Sequence, residues 1–215
     1  AGGVGEPVVL PPLADYLFTI AVGISPPKAN GVCTIVGQSG AAPNGEIAMP
    51  VRWKVKINAQ GSVNLVDGPT IIGTPTAAMD DSNSYDSCAV ACNSSSFSVG
   101  VAEHQAFKAL GNGNFNFLKP LKVAGQWTTN GHARAVNETK DVVGLQFTPY
   151  SNDGRPVLWP AGGSPIDLNS QVVLAAANRK LTAAVDINNL GEILALEDRP
   201  GRNSYKVRTV ILMPR

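Results

Sequence analysis

The sequence predicts an all-β protein: a β-sandwich or jelly roll of about ten short antiparallel strands, with at most one or two short helices. Three observations lead to this prediction. Several segments alternate apolar and polar residues at a period of two, as strands with one buried face do. The chain holds 22 glycines and 16 prolines in 215 residues, above the roughly 12% that these types usually contribute, so turns are frequent. Helical periodicity, by contrast, is confined to two short segments.

The clearest strand signal is VRWKVKI, residues 51–57, where Val51, Trp53 and Val55 alternate with arginine and lysine. One face of this strand is predicted to be buried, with Trp53 in the core. YLFTIAVGI, residues 16–24, places its even-numbered apolar residues on one face in the same way. In SYKVRTVILM, the odd-numbered positions are predicted to face the core, opposite a solvated basic face that includes Arg208.

Two segments are candidates for short helices. GVAEHQAFKALG, residues 100–111, keeps its apolar residues roughly on one side and ends at a glycine that suits a helix cap. Residues 170–179 are a poorer candidate. For the domain organisation, we predict an extended N-terminal arm over residues 1–15 and a single β-rich domain over residues 16–215, with a soft boundary in GNGNFNF, residues 111–117.

One pattern occurs twice: VKINAQGSV at residues 55–63 and VDINNLGEI at residues 185–193. A calcium loop is one interpretation, because Asp186 and Glu197 stand at its first and last positions. Leu190, however, stands where that loop needs an oxygen ligand, and the first copy has a lysine in place of the first aspartate. Asn-x-x-Gly between two apolar runs is also the pattern of a β-hairpin with a left-handed glycine. The sequence therefore predicts a hairpin at both places and no metal site.

Charge and hydropathy limit the classes of partner. Charged residues are 15% of the chain and the net charge is +1, so no nucleic-acid-binding surface is predicted. No run of apolar residues approaches the roughly 18 that a spanning helix needs, so no membrane span is predicted. The chain begins AGGVGEP and is rich in Gly, Asn, Ser and Thr, which favours an extracellular or cell-surface protein, secreted with its signal peptide removed.

Three cysteines, Cys33, Cys88 and Cys92, fit such a compartment as one disulfide plus one thiol, with the pairing left open. A zinc site is disfavoured, because it needs four soft ligands and neither of the two histidines has ligand spacing to a cysteine. The cysteines are therefore predicted to stabilise the fold by cross-linking it.

No motif for catalysis or cofactor binding stands out. The nucleophile elbow, the P-loop and a dinucleotide fingerprint in its strand–helix setting are all missing. We therefore predict no enzyme activity, no catalytic residue and no cofactor. Trp127 and Trp159 lie beside turns and are candidates for exposed platforms on which a sugar ring could stack. Two triplets, beginning at Asn93 and Asn137, match the N-glycosylation pattern.

The N-terminal arm suggests a function. Its apolar residues Val8, Val9, Leu10 and Leu13 are interrupted by prolines, which bar a central strand but allow an edge. We predict that the arm docks on a sheet edge of another copy, so that the protein is a structural subunit of a pilus, filament or shell. A secreted all-β chain with a docking extension is similar in architecture to pilin and capsid subunits.

Two alternatives stay open. The first is a carbohydrate- or surface-binding β-sandwich module, acting for instance in cell adhesion through Trp127 or Trp159. The second is a jelly-roll hydrolase with paired carboxylates, although nothing in the sequence singles out a pair. The predicted partners are thus other copies of the chain and, in the first alternative, surface glycans.

Overall fold

The computed structural model describes residues 7–40, 48–73, 87–111, 113–128, 130–148, 154–172, 179–200 and 205–214. Over these residues it is 59% strand, contains no α-helix and is built of antiparallel sheets, so the predicted all-β class is confirmed. One turn of 3₁₀ helix, Leu168–Ser170, accompanies the strands. No helix within these ranges is long and apolar enough to cross a membrane.

Seventeen strands follow one another along the described residues. The first eight are β1 (Phe18–Ile24), β2 (Val32–Gly40), β3 (Ala48–Ile57), β4 (Val63–Ile71), β5 (Cys88–Cys92), β6 (Ser98–Ala102), β7 (Gln105–Ala109) and β8 (Phe115–Phe117). The other nine are β9 (Lys122–Val123), β10 (Gln126–Trp127), β11 (Asn130–Val136), β12 (Val142–Phe147), β13 (Gly154–Trp159), β14 (Ile166–Asp167), β15 (Lys180–Ile187), β16 (Ile193–Pro200) and β17 (Tyr205–Leu212). Part of the excess over the prediction comes from β9, β10 and β14, whose two residues are too few for periodicity to detect.

Within the described residues, neighbouring strands of each sheet are consecutive in the sequence. The sheets are β1-β2-β3-β4, β5-β6-β7-β8, β9-β10, β11-β12-β13-β14 and β15-β16-β17. The sheets of three and four strands are therefore meanders, and β9-β10 is a hairpin. The chain divides into two compact units, the first comprising residues 1–103 and 108–116 and the second residues 104–107 and 117–215.

The core of the first unit is built on β3. Val51, Trp53 and Val55 are buried and alternate with more exposed basic residues, as the sequence predicts. Trp53 is the largest fully buried side chain, and a buried aromatic ring of this size removes about 150–250 Å² from water. Trp53 clusters with Met49 and Val51, and the partly buried Leu10, Leu13, Tyr16 and Ile35 pack against them.

The core of the second unit combines side chains from its two larger sheets and from the 3₁₀ turn. Its buried members are Ala135, Val143, Leu168, Leu181, Ala184, Ile187, Ile193 and Ala195. Partly buried side chains complete it: Leu158, Val172, Val210 and Leu212. Small alanines on β15 and β16 alternate with larger aliphatic residues, which lets the layers interdigitate.

The orientation of β17 differs from the prediction. Val210 and Leu212 pack against the core while Val207 and Ile211 are exposed, so the even-numbered residues face inward. The reason lies in the neighbouring strand. Glu197 of β16 is fully buried directly opposite Arg208 and accepts a hydrogen bond from its guanidinium. A buried carboxylate needs a cation, so β17 turns its arginine toward the core.

The exposure of β1 also departs from its prediction. Its even-numbered residues Ile20, Val22 and Ile24 are 44%, 49% and 59% exposed instead of forming a buried face. The register against β2 shifts between Ala21 and Gly23, which marks a β-bulge at Val22. Alternation identifies the strand correctly, but it cannot show how little of an edge strand is covered.

Residues 100–111 form a hairpin of β6 and β7, so the helix prediction for them is wrong. Glu103 and His104 have φ of 49° and 59°, two consecutive left-handed residues in a tight two-residue turn. Asparagine and glycine are the usual residues there, so Glu-His gives no turn signal. Of the second helix candidate, Ser170 ends the 3₁₀ turn, and residues 173–178 lie outside the described residues.

The repeated Asn-x-x-Gly pattern forms a hairpin at both places, as predicted. In each loop the asparagine N–H donates to the carbonyl of the fifth residue, and the glycine N–H donates back to the asparagine carbonyl. The side chains of Asn58 and Asn188 each accept two further backbone hydrogen bonds. Gly61 and Gly191 are left-handed, with φ of 81° and 79°. The repeat therefore forms the same hairpin loop twice.

The same loop occurs twice more without glycine, at Asn93 and Asn137. Their fourth residues, Ser96 and Lys140, have φ of 64° and 69°, and the same pair of backbone hydrogen bonds closes each loop. Both asparagine side chains accept backbone hydrogen bonds inside the loop. Both are also buried, so the two asparagines in the glycosylation triplets are turn-forming residues.

We expect Gly61→Ala to lower the free energy of unfolding by about 1–2 kcal/mol, the cost of a left-handed L-residue. A Cβ at position 61 meets no atom within 4 Å, so no clash contributes. Gly162 is the matched control, because its surroundings are equally open and its φ lies outside the left-handed region. Gly162→Ala should leave stability unchanged or raise it slightly. Urea-induced unfolding measures both, and equal stabilities would contradict the turn geometry.

Candidate functional site

Trp127, one of the two predicted platforms, lies exposed on a short hairpin of the second unit. β9 and β10 are joined by Ala124 and Gly125, both with positive φ, in a tight two-residue turn. Trp127 pairs across the hairpin with Lys122, whose ammonium group lies 5.5 Å from the centre of the indole ring. Because 57% of Trp127 is exposed, its ring offers an aromatic surface to solvent.

A buried glutamine holds the base of this hairpin. Gln146 of β12 accepts hydrogen bonds from the Leu121 N–H at 2.7 Å and the Thr128 hydroxyl at 2.9 Å. The Thr128 N–H closes the hairpin by donating to the Leu121 carbonyl at 2.9 Å. Breaking such a buried bond leaves a polar group unsatisfied at a cost of about 1–3 kcal/mol. The position of Trp127 is therefore set by β12 as well as by the hairpin itself.

Trp159, the second predicted platform, is buried and does not present its ring to solvent. Its indole N–H donates to the Lys119 carbonyl at 2.8 Å, just before the hairpin begins. Trp159 thus helps to position the segment that leads to Trp127. A place beside a turn says nothing about the direction of a ring, which is why the sequence could not separate the two tryptophans.

A groove of about 900 Å³ lies beside Trp127. One wall is the segment 119–124 together with Trp127, and the other is the segment 164–167 together with Ser170 and Gln171. The volume falls in the usual range for small-molecule sites, and so does the mixture of apolar side chains with a few polar groups. Both walls belong to the second unit.

The groove carries a net positive charge. Lys119 and Lys122 are exposed on one wall, and neither forms a salt bridge with any residue that the structure describes. Asp167, on the other wall, accepts a hydrogen bond from the Asn169 N–H at 2.9 Å and lies 3.5 Å from Arg155. The lysines are thus available to an anionic group, while the aspartate is already engaged.

The sequence identified Trp127 but not the rest of the groove. Lys122, Gln146 and Asp167 were not singled out, because the two walls lie far apart in the chain and meet only in the folded unit. A local signal was present in the hairpin itself. The two residues between its strands, Ala124 and Gly125, end in glycine, as the loops of two-residue hairpins often do.

The predicted docking arm lies on its own chain in this structure. Leu10 and Leu13 pack against the core of the first unit, Val8 is half-buried, and Val9 is 84% exposed. Trp53 donates its indole N–H to the Pro11 carbonyl at 3.0 Å. The described part of the arm forms no strand. It completes the core of its own subunit.

The arm also braces the beginning of β1. The Ser39 hydroxyl of β2 accepts a hydrogen bond from the Leu13 N–H at 3.0 Å and donates to the Phe18 carbonyl at 3.1 Å. The Leu17 N–H donates to the Gly40 carbonyl at 3.1 Å. These bonds hold the edge strand in place although most of its side chains are exposed.

β1 differs from the other long edge strands in the described part of the chain. It is seven residues long and holds neither a charged residue nor a proline. Charges and prolines are the usual protection of a sheet edge against pairing with another chain. The remaining edge strands of seven or more residues all carry such protection: Asp67 and Pro69 in β4, Arg134 in β11, Lys180 and Asp186 in β15, and Lys206 and Arg208 in β17.

The three cysteines are thiols in the structure, and the predicted disulfide is not present. Cys88 and Cys92 are the two ends of β5, so their Cα atoms are about 13 Å apart. A disulfide needs about 7 Å or less, so this pair cannot form without unfolding the strand. Cys33 and Cys92 are buried, and Cys92 donates its thiol to the Thr34 carbonyl at 3.3 Å. Cys33 and Cys92 therefore pack here as small buried side chains.

Among the described residues, no group of three or more His, Cys, Asp or Glu side chains could hold a metal ion. Comparisons of the chain with protein-family models, with curated protein sequences and with solved structures found no match. Its function therefore has to be inferred from its own geometry.

Proposed function

We propose that this protein is a structural subunit of an extracellular or surface assembly, such as a filament or shell, whose copies join through β1. The observation that carries the proposal is an exposed apolar edge strand without charge or proline. Low charge content and abundant Gly, Asn, Ser and Thr support the extracellular location. The proposal assigns no catalytic activity to the chain.

An edge strand directs one row of backbone N–H and C=O groups away from its sheet, where a strand of a second copy can pair with them. The bulge at Val22 bends β1, so straight pairing is confined to Leu17–Ala21. Leu17 and Ile20 are exposed in that part and would be covered by the partner. Because the net charge is only +1, electrostatic repulsion between two copies is weak.

The N-terminal arm contributes to this assembly from inside the subunit. It covers Trp53 and ties the start of β1 to β2, so it keeps the joining strand in position. In the described part of the arm, Val9 is the large apolar side chain that is exposed to solvent. Deleting residues 1–12 would remove Leu10 from the core and the Pro11 carbonyl from Trp53. A truncation could therefore not separate a loss of assembly from a loss of stability.

A charge on β1 provides the cleaner test. Wild-type protein should form multimers in light scattering coupled to size-exclusion chromatography and in negative-stain images. Ile20→Lys should remain monomeric at the same concentration, because a lysine on the edge opposes strand pairing. Leu190→Lys is the matched control, since Leu190 is 75% exposed at a hairpin loop away from β1 in the sequence, and it should assemble normally.

Two results would contradict the proposal. One is wild-type protein that stays monomeric up to its solubility limit. The other is Ile20→Lys that assembles like the wild type. Circular dichroism of both lysine variants checks that the folded state is kept.

A further inference from the structure

Beyond self-assembly, we propose that the groove beside Trp127 binds an acidic saccharide. One sugar ring lies on the Trp127 indole, and its carboxylate lies near Lys119 and Lys122. The site is confined to the second unit and shares no residue with β1. Saccharide binding in the groove can therefore be tested independently of the assembly through β1.

The first support is a tryptophan that is both exposed and held in place. An exposed indole leaves a large apolar surface in water, which is unfavourable unless a ligand covers it. The buried hydrogen bonds that Gln146 accepts from Leu121 and Thr128 fix the hairpin that carries Trp127. A platform fixed before binding loses little conformational entropy when the ligand arrives.

The second support is the charge of the groove. Lys119 and Lys122 provide two cations on one wall, and the carboxylate of Asp167 is engaged by Arg155 and Asn169. A neutral ring would leave both ammonium groups without an anion, whereas a uronic or sialic acid supplies a carboxylate beside a ring.

The third support is the polar character of the opposite wall. Ser164, Ser170 and Gln171 are exposed there, with hydroxyl and amide groups that can donate and accept. Gln171 donates to the Ser170 hydroxyl at 3.0 Å, and Ser170 donates to the Asp167 carbonyl at 2.7 Å. The groups on this wall can therefore pair with the hydroxyl groups of a sugar, which both donate and accept hydrogen bonds.

The test begins with an array of oligosaccharides that contain galacturonic, glucuronic or sialic acid, each beside its neutral counterpart. We expect retention on acidic members only. For a retained member, methyl esterification of the carboxylate keeps the ring and removes the charge, and it should weaken binding about tenfold. Retention on neutral members alone, or on no member, overturns the proposal.

Variants then assign the binding to the groove. Trp127→Ala should lower the affinity for the retained oligosaccharide about tenfold or more, the usual effect of losing an aromatic anchor. Lys122→Gln should lower the affinity about threefold to tenfold in low salt and much less in 0.5 M salt, because salt screens the charge. Lys140→Gln is the matched control, an exposed lysine outside the groove, and should bind like the wild type.

Tryptophan fluorescence provides an independent measurement. Trp53 and Trp159 are buried, so Trp127 is the tryptophan that acrylamide can quench in solution. The oligosaccharide should protect it from quenching in the wild type and in Ile20→Lys alike. Binding that Trp127→Ala leaves unchanged, or that leaves Trp127 open to acrylamide, would overturn the proposal even if the protein binds glycans elsewhere.

Discussion

Replacement of Trp53 by alanine is expected to lower the free energy of unfolding by about 3–5 kcal/mol. Trp53 is fully buried in the core of the first unit, between Met49 and Val51 of its own strand and Leu10 and Leu13 of the arm. The loss combines the burial of a large ring with a cavity that a meander of paired strands cannot close. Urea-induced unfolding followed by circular dichroism measures it.

The same variant should also release the arm. The indole N–H of Trp53 donates to the Pro11 carbonyl, and this bond disappears with the ring. Limited proteolysis should therefore cut within residues 7–13 faster in Trp53→Ala than in the wild type. Trp53→Phe separates the two effects, because it fills most of the cavity but cannot donate. It should cost less stability and still loosen the arm.

Trp127→Ala is the control for tryptophan removal. Trp127 is exposed, so its truncation should change the free energy of unfolding by about 0.5 kcal/mol or less. A Trp53→Ala variant as stable as Trp127→Ala would contradict the core described for the first unit.

β3 and β17 show what alternation can and cannot predict. In β3 the alternating residues are apolar and basic, and the apolar set is buried as expected. In β17 both faces hold apolar residues, so the pattern leaves the orientation undecided. The deciding residue is Glu197 on another strand, and its burial becomes visible only when the register of the pair is known.

The hairpin loops show a second limit. Loops with glycine at the left-handed position, at Gly61 and Gly191, are predictable because glycine signals that conformation. Ser96 and Lys140 take the same conformation at a steric cost, and the hydrogen bonds of the preceding asparagine offset it. A rule that requires glycine therefore finds half of these four loops.

The candidate groove shows a third limit. Trp127 was identified because a tryptophan beside a turn is often exposed, yet the same rule selected the buried Trp159. The two tryptophans differ in their long-range contacts. Gln146 holds the hairpin that carries Trp127, whereas Trp159 itself donates to the Lys119 carbonyl just before that hairpin. Contacts between residues so far apart in the chain follow from tertiary packing, which neither composition nor local spacing encodes.

Arg208→Met is expected to cost about 3–5 kcal/mol, although the arginine side chain is only half-buried. Its guanidinium hydrogen-bonds Glu197, which is fully buried, and Arg179 is a second cation at 3.9 Å. Removing Arg208 leaves the carboxylate in the interior without its hydrogen-bonded cation. Methionine replaces the stem of the arginine, so most of the packing is kept.

An exposed ion pair is the control for this prediction. Lys54 donates to Asp67 at 2.9 Å, and both side chains are well exposed. Lys54→Met should therefore leave stability close to that of the wild type. Lys54 does lower the pKa of Asp67, so any contribution of the pair is present at neutral pH and is lost as the pH falls through that lowered pKa.

The double variant Arg208→Met, Glu197→Leu separates buried charge from packing. If the cost of Arg208→Met comes from a buried carboxylate that has lost its hydrogen-bonded cation, an apolar side chain of similar size at position 197 should recover most of the loss. If the cost comes from lost contacts of the arginine stem, the double variant should be at least as unstable as the single one. Urea-induced unfolding at pH 7 distinguishes the two outcomes, and the second would contradict the account of why β17 turns Arg208 inward.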